Sequence, residues 1–111
     1  MSIYTSTIRY TGNKKKIDIT VKSASGIGNY FKPTWDMVWE YKRTKNEEKY
    51  TQQYLDILEE NYYYIRRMIE FLEAGNDVVF VCYCRPREFC HRVLLANYIS
   101  KLSGIAYNGE V

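Results

Sequence analysis

The first part of the chain alternates apolar and polar residues in the way that β-strands do. Ser2–Tyr10 (SIYTSTIRY) is rich in β-branched and aromatic side chains, and a turn at 11–13 follows it. Lys16–Val21 (KIDITV) places an apolar residue at every second position. These two segments therefore predict two short strands, and the small residues of Ser23–Asn29 (SASGIGN) predict a loop after them.

The middle of the chain changes to a helical period. Asn46–Ala74 contains no glycine or proline, and its apolar residues recur at steps of three and four. That face consists of Tyr50, Tyr54, Leu58, Tyr62, Ile65, Ile69 and Leu72. A single helix of this length would extend about 40 Å, which is long for so small a chain. We therefore expect a break near Asn61 and two helices, preceded by a helix that has Pro33 in its first turn and continues through Trp39.

The last third alternates again between strand and helix. Val78–Cys82 (VVFVC) is a continuous apolar run, typical of a strand covered on both faces. A loop at Tyr83–Phe89, a helix at Cys90–Leu102 and a short strand at Ile105–Tyr107 follow. The succession of strands and helices predicts a single α/β domain over residues 1–111, with a mostly parallel sheet and flanking helices.

Composition and charge narrow the class of protein. The chain has 111 residues, 46% of them hydrophobic and 26% charged, which fits one compact domain and excludes a disordered chain or a fibre. A net charge of +3 does not by itself indicate a nucleic-acid binder. No apolar stretch is long enough for a membrane span, Met1–Arg9 lacks the pattern of an export leader, and three cysteines are too few for a secreted disulfide scaffold. We therefore expect a cytoplasmic protein without a membrane partner.

Twelve tyrosines against four phenylalanines are the unusual feature of the composition. Tyr62, Tyr63 and Tyr64 are consecutive, so they cannot all point inward from one helix. At least one of them is expected at the surface, at a ligand or at a subunit contact such as that of a homodimer. Trp35 and Trp39 are spaced for one helical face and are more often core, but one of them could stack on a base if that helix borders a cleft.

Val81–Arg92 (VCYCRPREFCHR) is the segment richest in reactive side chains. It contains all three cysteines, the only histidine and three arginines. It also runs from the carboxyl end of a predicted strand into a helix, where open α/β sheets bind ligands. The helix N-terminus and the guanidinium groups of Arg85, Arg87 and Arg92 favour an anion such as a phosphate group.

Three chemical interpretations of this segment are open. In the first, one cysteine is a thiolate and His91 carries a proton; since adjacent residues of a helix do not face each other, His91 is expected to pair with Cys84 rather than Cys90. In the second, C-x-C and C-H supply four zinc ligands, although zinc sites normally join two knuckles across a longer loop. In the third, Cys82 only fills the core. Anion binding accounts for the whole segment best, and we expect no metal and no cofactor.

The same residues resemble a known family. IYTS at Ile3–Ser6, the strand near Ile17–Val21 and VFVCYCRPREFCHRVLLANYI are similar to the domain-of-unknown-function 488 (DUF488) family, in particular its small phage and prophage members. The likeness extends over Ile3–Leu102, and C-H-R at the start of the last helix is its specific part.

The resemblance implies a small Rossmann-like, three-layer α/β domain. Its ligand site would use Cys82, Cys90, His91 and Arg92 together with Thr5 and Ser6 at the end of the first strand. Two departures stand out. Many members carry a glutamate after the strand cysteine, where this chain has Tyr83-Cys84, and many carry an arginine at the end of the second strand, where Lys22 is the nearest candidate.

The combined expectation is a small enzyme or binding domain for a phosphate-bearing small molecule, a nucleotide or a nucleic-acid component. The candidate catalytic residues are Cys84, Cys90 and His91. The candidate ligand-binding residues are Arg92, Arg85, Arg87, Thr5, Ser6 and Lys22. The alternatives are a non-enzymatic phage or host interaction protein that uses a tyrosine-rich surface, and a zinc-stabilised module.

Overall fold

Four parallel strands form the centre of the molecule. The computed structural model describes residues 1–85 and 88–111. Its strands are β1 (Ser2–Thr7), β2 (Lys15–Asp18), β3 (Asp77–Cys82) and β4 (Tyr107–Glu110). In space they lie in the order β2-β3-β1-β4, and each neighbouring pair is parallel. Helices flank this sheet, which confirms the predicted α/β class.

The inner position of β3 follows from its sequence. Val78 to Val81 are fully buried and Cys82 is almost so, as expected for a strand covered on both faces. The register pairs Thr7 with Cys82 and Asp18 with Val81. Because the strands are parallel, the carboxyl ends of β1, β2 and β3 meet at one edge of the sheet.

The helices are α1 (Trp35–Thr44), α2 (Glu47–Glu60), α3 (Tyr62–Glu73) and α4 (His91–Ser103). The predicted break at Asn61 is confirmed, and there the side-chain amide donates a hydrogen bond to the carbonyl of Ile57 at 3.1 Å. The predicted apolar face is buried except for Tyr62, which is 43% exposed. The periodic face does not continue through Tyr62 because the helix restarts at this point. Within the described residues, no helix has the length and apolar character needed to cross a membrane.

Several element boundaries differ from the prediction. β1 ends at Thr7 rather than at residue 10, and β2 ends at Asp18 because its carboxylate accepts a hydrogen bond from the Thr20 amide at 2.9 Å and turns the chain. Pro33 precedes α1 instead of lying in its first turn, since Thr34 is the N-cap and accepts from the Met37 amide at 3.2 Å. The last strand begins at Tyr107 rather than at residue 105.

The segment predicted as a loop at residues 23–29 contains most of a short 3₁₀ helix, Gly26–Phe31. Gly28 is buried, and a Cβ at this position would lie 2.0 Å from the carbonyl oxygen of Asp18. The glycine therefore allows the 3₁₀ helix to approach the end of β2 closely. This packing explains why a glycine stands there.

Candidate functional site

A cleft of about 420 Å³ opens at the edge of the sheet where β2 and β3 end and α4 begins. Its described walls include aromatic side chains, lysines and the cysteine segment. The residues of these three groups are Trp35, Tyr41, Tyr50 and Phe89; Lys22, Lys42 and Lys45; and Cys82, Cys84, Cys90 and His91. An apolar cleft of this size with a few convergent polar groups is typical of a small-molecule site.

Cys82 lies at the end of β3, where its surroundings favour the thiolate form. Its sulfur is 2.7 Å from the sulfur of Cys90 and 2.8 Å from Nη1 of Arg92. Hydrogen bonds from the thiols of Cys84 and Cys90, together with the nearby charge of Arg92, lower the pKa of Cys82 to about 2 in spite of its burial. The sequence alone offered core filling as one role for Cys82, but the structure surrounds its sulfur with donors.

The other two cysteines show the opposite pKa shift. The hydrogen bond from Cys84 to Cys82 raises the pKa of Cys84 to about 12. Burial, and then the hydrogen bonds with the other two sulfurs, raise the pKa of Cys90. The directions of the three pKa shifts therefore favour one negative charge in the cluster, on Cys82, with protonated thiols on Cys84 and Cys90.

His91 links this cluster to the end of β2. Its Nε2 lies 2.7 Å from the carbonyl oxygen of Ile19, and its Nδ1 lies 3.5 Å from the sulfur of Cys90. A carbonyl oxygen can only accept, so Nε2 carries the proton, and burial lowers the pKa of His91 and keeps the ring neutral. The nitrogen that faces Cys90 is thus a proton acceptor.

The contact of His91 with Cys90 differs from the expected pairing with Cys84. The rule that adjacent helical residues do not face each other does not apply here. Cys90 is the N-cap of α4, with an extended backbone at φ −157°, and only His91 belongs to the helix. The N-cap geometry therefore turns the Cys90 sulfur toward both the imidazole and Cys82.

Arg92 is fully buried and uses its donors within the protein. Its Nε donates to Glu110 Oε1 at 2.7 Å, and Nη1 donates to the Cys82 sulfur and to the carbonyl of Cys84. Nη2 donates to the carbonyl of Arg85 at 2.9 Å. The predicted anion-binding side chain thus fixes the thiolate and the loop after β3, so Arg92 is a positioning residue.

Thr5 and Ser6 support the same arrangement from β1. The Thr5 hydroxyl is 2.6 Å from the Tyr107 hydroxyl and donates to Glu110 Oε1 at 3.2 Å. The Ser6 hydroxyl donates to the carbonyl of Val111 at 2.7 Å. Both side chains therefore bind the C-terminal strand and hold Glu110 beside Arg92, instead of lining the cleft.

The remaining predicted ligand residues lie apart from one another. Lys22 lines the cleft, as expected of a binding residue. Arg85 is exposed, and its carbonyl accepts the hydrogen bond from Arg92. Arg87 lies outside the described residues.

The zinc interpretation also has a geometric basis. One ligand atom from each of Cys82, Cys90 and His91 lies within 4.8 Å of the other two. Two thiols and an imidazole are ligands that zinc prefers, and Arg92 would then donate a hydrogen bond to a ligand sulfur. The cluster is thus able to serve as a thiolate site or as a metal site.

Comparison with known proteins identifies the family. A family model described as the active DUF488-N3 subclade matches residues 4–103. The chain belongs to the DUF488 family. This confirms the family expected from the C-H-R segment, and no curated protein or solved structure matches the chain.

The match also shows which parts of this DUF488 protein go beyond the shared region. The matched residues end at the last turn of α4, so β4 and Glu110 lie outside them. Glu110 was missed in the sequence because the predicted last strand ended at Tyr107, whereas the structure extends β4 over Tyr107–Glu110. The aromatic side chains that line the cleft were also missed, although one of them, Tyr50, belongs to the periodic apolar face. Burial raises the pKa of Tyr50, so its phenol keeps its proton and can donate a hydrogen bond.

Proposed function

We propose that this DUF488 protein is a small thiol-dependent enzyme that acts on a phosphate-bearing ligand with an aromatic base. The observation that carries the proposal is Cys82, which is one of the residues that line the cleft and whose sulfur lies 2.7 Å from the Cys90 sulfur and 2.8 Å from Nη1 of Arg92. A thiolate is the nucleophilic form of cysteine, and its formation at neutral pH is what such an enzyme requires.

The surrounding side chains supply the proton movements. In the proposed step, the Cys82 sulfur forms a bond to an electrophilic atom of the ligand, and the bond to the leaving group breaks with its electron pair. The pKa of Cys84 is raised mainly by its hydrogen bond to Cys82, so this cause weakens once the thiolate charge is consumed. Cys84 then gives its proton to the leaving group, while neutral His91 keeps its Nδ1 beside the Cys90 sulfur at 3.5 Å and helps to hold Cys90 in place.

The cleft walls indicate the ligand class. Lys22, Lys42 and Lys45 offer positive charge for a phosphate group, and Trp35 and Tyr41 offer ring faces for a base. A nucleotide or a nucleic-acid component combines both features. The three free cysteines favour a reducing compartment, and we place the protein in the cytoplasm on that ground.

Alkylation tests this proposal directly. Iodoacetamide at about pH 6, where an ordinary thiol is protonated, is expected to modify Cys82 first, as measured by peptide mass spectrometry. A mixture of ribonucleoside monophosphates should slow the reaction, and Lys22→Ala should weaken that protection while Lys101→Ala on α4 should leave it unchanged. Cys82→Ser should abolish the reaction with iodoacetamide at this pH.

Three results would contradict the proposal. These are modification of Cys84 or Cys90 ahead of Cys82, a rate that nucleotides do not change, and labelling that begins only after a chelator removes zinc. The last result would instead support the zinc-stabilised module, whose ligands would be Cys82, Cys90 and His91.

A second candidate function is that of a non-enzymatic phage or host interaction protein. It is favoured by the exposure of Tyr62 and Tyr63, 43% and 64%, and by the internal hydrogen bonds of His91 and Arg92. Such a protein would bind a partner chain, or a second copy of itself, through α3. The alkylation experiment separates the two candidates, because an interaction protein would show no protection by nucleotides.

A further inference from the structure

We propose that the ligand is a single-stranded nucleic acid, of which one nucleotide enters the cleft while a neighbouring base stacks on Trp39. The surface concerned is the tryptophan ridge, formed by Trp35, Trp39 and Lys42 on α1. The inference rests on the proposed function for the nucleotide in the cleft, and it adds the ridge as a second contact outside it.

The two tryptophans of the ridge are exposed, so of the two roles open to them from the sequence, a place in the core is excluded. Trp35 is 48% exposed and Trp39 is 59% exposed. Their rings lie with centroids 5.9 Å apart and planes inclined by 22°. Two large aromatic side chains in contact with water form an apolar platform, and platforms of this kind mark binding surfaces.

The charges around the ridge fit a polyanion. Lys42 Nζ lies 5.2 Å from the centre of the Trp39 ring, and Lys45 Nζ lies 5.2 Å from that of Tyr41. The described walls of the cleft contain three lysines against one carboxylate, Glu88. Of the acidic residues on α1, Glu40 is paired with Lys49 at 2.8 Å and Asp36 is exposed. Lysines next to exposed rings are the combination that single-strand binding sites use.

The extent of the ridge indicates a polymer rather than a free nucleotide. Trp35 lines the cleft, whereas Trp39 lies one helical turn further on and is outside its lining. A cleft of about 420 Å³ has the size of a site for one small ligand. A ligand confined to it would leave Trp39 without a partner, while the next base of a strand would reach this ring.

The exposed rings also distinguish a single strand from a duplex. In a duplex each base is stacked on both faces, so its ring face is not offered to a protein side chain. Unpaired bases are free to stack on tryptophan, and every base has such a face. We therefore expect binding to unpaired DNA or RNA with little sequence preference.

The experiment measures fluorescence anisotropy of a labelled oligothymidylate of about ten nucleotides, a length that covers one site of this kind, added to the full chain. Trp39→Ala is expected to weaken binding between about 5-fold and about 100-fold, the range for loss of one stacked base. Three lysines predict a slope of about −2 for the logarithm of the affinity against that of the salt concentration. Tyr63→Ala, an exposed aromatic on α3, is the matched control and should bind like the wild type.

The outcomes separate this inference from the proposed function. Unchanged affinity in Trp39→Ala, or equal binding of a duplex, would overturn the inference. Nucleotide protection of Cys82 without any preference for the oligomer would overturn the inference and leave the proposed function standing. Oligomer binding through Trp39 without protection of Cys82 would overturn the proposed function and leave only the contact with the tryptophan ridge standing. An oligouridylate in place of the DNA shows which of the two nucleic acids binds more tightly.

Discussion

At the scale of single residues, the cysteine cluster shows how position decides chemistry. Cys82 and Cys84 are separated by one residue, yet the pKa of Cys82 is lowered to about 2 and that of Cys84 is raised to about 12. The difference arises because the Cys82 sulfur lies 2.7 Å from the Cys90 sulfur and 2.8 Å from Nη1 of Arg92, and because the interaction between Cys82 and Cys84 lowers the pKa of the first and raises that of the second. The C-x-C spacing contains no sign of this asymmetry, so the sequence could not select the thiolate.

The first prediction at this scale concerns pH. The folded chain should show one thiolate by ultraviolet absorbance down to about pH 5, where a free cysteine is protonated. Since the pKa of Cys82 is lower in the folded chain than in the unfolded chain, its thiolate adds to stability above the ordinary pKa. That contribution shrinks as the pH falls toward about 2.

The signal is assigned with two variants. Cys82→Ser should abolish the thiolate absorbance that the wild type keeps in acid. Cys84→Ser should keep most of this absorbance, because a serine hydroxyl can still donate a hydrogen bond to the thiolate. A wild-type titration curve centred near pH 8.5, the ordinary cysteine value, would disprove the assignment.

At the scale of elements, the sequence predicted what depends on local pattern. The apolar run of β3 was found because burial on two faces leaves a continuous apolar sequence, and the break near Asn61 was found because a single helix over that segment would be too long for so small a chain. The 3₁₀ helix at Gly26–Phe31 was not found, since its position depends on contact with Asp18 rather than on its own residues. The same limit applies to the Cys90–His91 contact, which depends on an N-cap conformation.

Gly28 allows a test of that tertiary contact. Gly28→Ala is expected to lower the free energy of unfolding by about 1–3 kcal/mol, because the new Cβ would overlap the backbone carbonyl of Asp18. Chemical denaturation monitored by circular dichroism measures the change. Ser25→Ala is the control, since this exposed side chain makes no capping hydrogen bond and its loss should cost no more than about 0.5 kcal/mol. Equal effects of the two variants would refute the packing role of Gly28.

At the scale of the whole molecule, the parallel sheet assembles the site from distant parts of the chain. Thr5 from β1, Cys82 from β3, Arg92 from α4 and Glu110 from β4 form one hydrogen-bonded series. The C-H-R segment was recognisable in the sequence, but Glu110 was not, because only the strand order places β4 beside β1. The buried guanidinium therefore has one carboxylate partner that a local pattern could not reveal.

Glu110→Gln tests whether this series is one unit. The substitution should lower the free energy of unfolding by about 1–3 kcal/mol, because the fully buried Arg92 would lose the charge of its partner. Glu40→Gln is the matched control, since its ion pair with Lys49 lies at the surface and the loss of this pair should cost no more than about 1 kcal/mol.

Thermal unfolding of both variants is the measurement, with iodoacetamide labelling of Cys82 as a second readout. The Glu110 variant should label at a changed rate, because the guanidinium that it orients also holds the thiolate. If the two variants unfold alike and Cys82 labels as in the wild type, Glu110 does not position Arg92.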